Sequence, residues 1–76
     1  MEDIRVLFGR RVRELRKARD LSQEELAHRV GVHPTYLGGI ERGERNPALV
    51  NINRIADALG VSLAELFAPL RGRPKR

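Results

Sequence analysis

His28 and His33 are the side chains of this chain best suited to hold a metal, yet they lie five residues apart and no cysteine accompanies them. Their spacing serves joint ligation poorly, and the neighbouring carboxylate Glu25 has a helix-capping role, so no metal and no cofactor is expected. No nucleophile, base and orienting acid form a recognisable set, and no glycine-rich phosphate loop follows a strand. Enzymatic activity is therefore not expected. What remains is the chemistry of recognition, through hydrogen bonds and positive charge. Gln23 falls at the start of a helix, where amides and the positive helix end attract a phosphate. His33 at the edge of the next helix can touch a phosphate too, and protonation below about pH 6.5 would strengthen that contact. Thr35 offers a hydroxyl and a methyl from the first turn of that helix.

Two short helices position these groups. Ser22 with Glu25 three residues on is a capping box, so a helix starts there and runs from about 22 to 30. Leu26, Ala27 and Val30 recur at helical spacing, and Gly31 supplies the left-handed position that ends it. Pro34 suits the first turn of a second helix, over about 34 to 42, because its missing N–H has no partner to lose. Leu37 and Ile40 give this helix an apolar face, and Gly43 closes it. A helix-turn-helix results, with small Ala27 at the close crossing.

Three further helices complete an all-α reading. Ile4, Leu7, Phe8, Val12 and Leu15 share one face of a first helix, with Arg5, Arg10, Arg13, Lys17 and Arg19 mainly elsewhere. Gly9 inside it costs roughly 1 kcal/mol relative to alanine. Leu49, Ile52, Ile55, Ala56 and Leu59 trace a fourth helix that Gly60 ends. Ser62 and Glu65 form a second capping box for a short fifth helix, about 62 to 67, whose continuation Pro69 discourages. No alternating strand pattern, internal repeat or heptad series competes.

At 76 residues the chain is expected to form one domain over residues 1–70, followed by a basic, flexible tail over 71–76. The net charge of +5 rests largely on Arg71, Arg73, Lys75 and Arg76, which leave 11 basic against 10 acidic groups in the first 70 residues. Attraction to a polyanion must then come from how charges are distributed. Apolar runs are too short for a membrane span, and the charged start lacks the apolar core of a signal peptide. Together with the lack of cysteine, this suits a reducing cytoplasm.

The phrases Leu21-Ser22-Gln23-Glu24-Glu25-Leu26-Ala27, Thr35-Tyr36-Leu37-Gly38-Gly39-Ile40-Glu41-Arg42-Gly43-Glu44-Arg45-Asn46 and Leu49-Val50-Asn51-Ile52 resemble the lambda-repressor-like, Xre-type DNA-binding family. They are most similar to the controller proteins of restriction-modification systems, over about Phe8 to Phe67. The resemblance implies a compact five-helix domain that binds double-stranded DNA with its third helix in the major groove. It assigns Gln23 a phosphate and implies that Arg45 and Asn46 reach DNA from the loop, with Arg42 serving phosphates. Positions matching Pro34, Thr35 and Gly39 often carry long base-reading side chains in the family. Here Pro34 stands where controllers commonly have arginine, so Thr35, with Tyr36 alongside and the bare backbone of Gly38 and Gly39, would have to read the groove with help from DNA deformability. The resemblance also implies an ion pair, Arg16 with Glu41, joining the first and third helices.

Arg71-Gly72-Arg73-Pro74-Lys75-Arg76 resembles an AT-hook, whose arginines are drawn to a narrow minor groove; plain phosphate attraction is the simpler reading of the same residues. Leu63, Leu66, Phe67 and Leu70 are more apolar than a short last helix needs, and the two-fold logic of operators gives them to a homodimer. The expected function is a sequence-specific transcriptional regulator, with RNA polymerase as a further partner and the nucleoid as its bound location. Alternatives are an antitoxin or phage-type repressor and, from another class, a protein-interaction adaptor with a degenerate helix-turn-helix.

Overall fold

The first helix begins where Asp3 accepts a hydrogen bond from the Arg5 backbone N–H at 2.8 Å, a side-chain cap for otherwise unpartnered amides. The computed structural model describes residues 3–70. It comprises α1 (Ile4–Ala18), α2 (Gln23–Val30), α3 (Pro34–Glu41), α4 (Leu49–Leu59), α5 (Leu63–Phe67) and a single 3-10 turn, Ala68–Leu70. No strand occurs among the described residues. The basic tail, and with it Arg71, Arg73, Lys75 and Arg76, lies outside the described residues.

Local chemistry sets the helix ends. At α2 both halves of the capping box form: the Ser22 hydroxyl accepts from Glu25 N–H at 3.0 Å and the Glu25 carboxylate accepts from Ser22 N–H at 2.8 Å. These bonds from the Ser22 backbone and hydroxyl hold the Glu25 carboxyl below its ordinary value. At α5 Ser62 supplies the hydroxyl half, 3.0 Å from Glu65 N–H. Beyond it, Pro69 turns the chain into the 3-10 segment. Arg11 of α1 secures this end by donating to the carbonyls of Glu65 (2.9 Å) and Leu66 (3.3 Å).

The core forms where α1 packs on α3 and α5 while α2 packs on α3 and α4. Val12, Leu26, Leu37, Ile40, Ile55, Leu59 and Leu66 are its largest fully buried side chains. The Phe8 and Phe67 rings stack at 5.4 Å between centroids, tying α1 to α5. Gly9 permits the closest approach: a Cβ there would strike the Ile40 carbonyl oxygen and lie 2.6 Å from that of Glu41. Its cost in helix propensity is thus offset by letting the α1 and α3 backbones touch, which fixes the pose of α3.

The helical pattern misplaced two apolar residues. Ile4 is 56 % exposed and Leu49 is 75 % exposed, because each opens its helix beyond the edge of the core. Leu66, expected at a dimer surface, is fully buried in the core, so it cannot also meet a partner.

Candidate DNA-binding surface

The inner side of α3 is held by charge as well as by apolar contact. Arg16 Nε donates to Glu41 Oε2 at 2.7 Å, Arg16 Nη2 to Glu41 Oε1 at 3.1 Å, and Arg16 Nη1 to the Leu21 carbonyl at 2.8 Å. Gln23 Nε2 adds a bond to Glu41 Oε1 at 3.0 Å. The Glu41 side chain is 2 % exposed, so one buried carboxylate ties together α1, the first turn of α2 and the end of α3. Among the described residues no buried side-chain polar atom lacks a partner. Such a network orients helices more surely than it adds net stability.

Gln23 is half-buried and has a structural role, since one of the two N–H donors of its side-chain amide serves Glu41. His33 likewise has a structural role as the N-cap of α3, with Nδ1 accepting from Thr35 N–H at 3.0 Å. That places the ring proton on Nε2, the nitrogen left to donate outward.

Thr35 is exposed at the first turn of α3, with Pro34 half-buried beside it. Gly38 and Gly39, expected to present bare backbone, are instead buried. A Cβ on Gly38 would lie 3.1 Å from Arg42 Nη1 and 3.5 Å from Gln23 Oε1; one on Gly39 would lie 2.9 Å from Arg45 Cγ. The two glycines thus form a shallow floor on which longer side chains from neighbouring positions lie. These coverings are flexible polar side chains, not a packed element, so the edge remains open to a ligand that displaces them.

Tyr36 is half-buried between loop and helix. Its hydroxyl accepts from Asn51 Nδ2 of α4 at 3.3 Å, and the Arg45 guanidinium sits 5.8 Å from its ring centroid. Stacking on an aromatic face restrains an arginine that otherwise has many rotamers. Arg42, Glu44, Arg45 and Asn46 follow as an exposed row. A Schellman motif fixes their backbone, with Gly43 N–H bonded to Ile40 O at 3.0 Å and Glu44 N–H to Gly39 O at 2.9 Å. Gly43 adopts φ +78°, the left-handed region this motif requires.

The sequence reading overlooked Asn51 and Glu44. Asn51 is 15 residues from Tyr36, a pairing no local pattern reveals. Glu44 receives both Arg42 Nε (3.0 Å) and Nη2 (3.2 Å). Its alternation with the two arginines was the available signal.

A buried anchor, an outward first turn and two exposed arginines on the loop that follows make this a helix-turn-helix with one open edge along α3. The sequence matches the helix-turn-helix family HTH_3 over residues 12–66, and the chain belongs to that family. It is a helix-turn-helix transcriptional regulator. Control protein C.MunI from a Mycoplasma species is 44 % identical over 71 residues, spanning 92 % of this chain and 96 % of the relative. Control protein C.BamHI from Bacillus amyloliquefaciens is 48 % identical over 66 residues, 86 % of this chain and 82 % of the relative. The crystal structure of the restriction-modification controller protein C.AhdI from Aeromonas hydrophila superposes with a TM-score of 0.81 at 54 % identity, covering 83 % of this chain and 96 % of that one.

Proposed function

We propose that this chain is a controller-type regulator of a restriction-modification operon that inserts α3 into the major groove of its operator. The observation that carries this is the exposed edge of Thr35, Arg42, Arg45 and Asn46, held in place by the buried Arg16–Glu41–Gln23 network. Phosphate contacts from such an edge set register, while Thr35 and a stacked Arg45 offer base-edge chemistry. Similarity to control proteins favours this reading over an antitoxin, a phage-type repressor or an adaptor. A role beside RNA polymerase at the regulated promoter follows from the same reading.

A homodimer would place two copies of α3 about 34 Å apart, one turn of the duplex. With Leu66 in the core, the surface left for the partner comprises exposed Leu63 and half-buried Phe67 and Leu70. Selection of bound duplexes from a random pool tests the proposal. Enrichment of one two-fold symmetric site, with half-sites about one helical turn apart, is the expected result. A pool that stays random would refute it.

A further inference from the structure

Glu44 is an acid in the middle of a basic edge, and neither the buried anchor nor the base-reading side chains use it. Its two oxygens accept a forked pair of hydrogen bonds from Arg42, at 3.0 Å from Nε and 3.2 Å from Nη2. That fork is the geometry in which arginine takes a phosphate. Both partners are well exposed, with side chains 58 % and 60 % accessible, so the pair stands at the face where a duplex would arrive. Glu44 cannot withdraw by a loop movement. Its N–H is bonded to Gly39 O at 2.9 Å, and the preceding Gly43 is so close to α1 that a Cβ there would lie 2.8 Å from Val6 Cγ2. The hydrogen bonds from Arg42, then its charge and that of Arg45, hold the Glu44 carboxyl below its ordinary value. It is anionic at neutral pH.

Resting on the reading of this edge as the DNA-facing one, we propose that Glu44 is a built-in counter-anion of the regulator. It occupies Arg42 in the free protein as a phosphate would, must be exchanged for a DNA phosphate on binding, and so sets a ceiling on affinity for every duplex. The exchange carries no sequence information, because phosphates position a protein without reading bases. Its weight on this edge is raised because Gly38 and Gly39 add no side chains of their own to α3. The penalty is common to all duplexes, so it lowers specific and non-specific affinity alike and leaves their ratio unchanged.

Glu44→Gln tests this, since it keeps the length of the side chain and one acceptor oxygen but removes the charge. Binding is measured by fluorescence anisotropy on the duplex recovered from the random pool and on an unselected duplex of equal length, across a range of salt. The expected result is about three- to tenfold tighter binding to both duplexes at low salt, as a like charge near a phosphate is removed. The gain should shrink as salt screens it. In an Arg42→Met background the same substitution should yield a clearly smaller gain, because no occupied arginine is left to release. An equal gain in both backgrounds would reduce Glu44 to general repulsion and overturn the exchange. Weaker binding to the selected duplex alone would make Glu44 a base reader and also overturn it. Wild type bound with Glu44→Gln unchanged defeats this inference alone, whereas wild type and variant both failing to bind either duplex defeats the DNA reading and the inference together.

Discussion

Glu41→Gln removes one charge from the centre of the network and leaves its shape almost intact. The carboxylate now takes two hydrogen bonds from Arg16 and one from Gln23, at 2.7, 3.1 and 3.0 Å, with side-chain exposures of 2 % for Glu41 and 10 % for Arg16. In the variant one oxygen becomes an amide that points donors at donors, and Arg16 is left charged in a buried position. Breaking such a pair from one side typically costs about 3–5 kcal/mol. Arg16 keeps its bond to the Leu21 carbonyl, so the lower end applies. For a domain of this size about 3 kcal/mol lowers the melting temperature by roughly 12–24 °C. Thermal and urea unfolding followed by circular dichroism read the effect. Replacing both partners together, as Arg16→Met with Glu41→Leu, should cost less than the single change, since no charge is stranded. A melting temperature within about 3 °C of wild type for Glu41→Gln, well below the expected shift, would refute the reasoning.

Other consequences are as direct. Asp3, held at about 2 by hydrogen bonds from the Arg5 side chain and backbone, and Glu25, lowered by Ser22, bind fewer protons folded than unfolded. Their stabilisation is therefore complete above the ordinary values of 3.8 and 4.5 and is lost as pH falls through the folded ones. Melting curves from pH 7 down to about 2 should show this decline, and Glu25→Gln should make it shallower; equal slopes would contradict the assignment. Leu66→Lys should unfold the monomer by burying a charge, whereas Leu63→Lys should leave folding intact and shift sedimentation at micromolar concentration towards monomer. An undisturbed dimer in Leu63→Lys would remove that surface from the interface.

Elements governed by neighbours in sequence were legible before the structure. Ser22 with Glu25, Gly31 and Pro34 act within one helical turn, and each marks its helix end where the structure has it. Side-chain destinations set by distant contacts were not. Leu49 fits the apolar period of α4 yet opens that helix past the core, a matter of where neighbouring helices stop. Glycine carries no signal about what lies above it, so Gly38 and Gly39 read as open backbone when Arg42 and Arg45 cover them. That Gln23 bonds a buried acid depends on the pose of Glu41, set where Gly9 lets α1 touch α3, and no local pattern shows it.

Arg45 concentrates the central claim, because it lies across Gly39, stacks on Tyr36 and stands at the end of α3 where bases would be read. The direct measurement is the affinity of Arg45→Ala for the duplex selected by the wild-type protein, set beside its affinity for an unselected duplex. A loss of about ten- to hundredfold on the selected site, with a much smaller loss on the other, is predicted. Undiminished binding to the selected site by a folded Arg45→Ala protein would contradict the account.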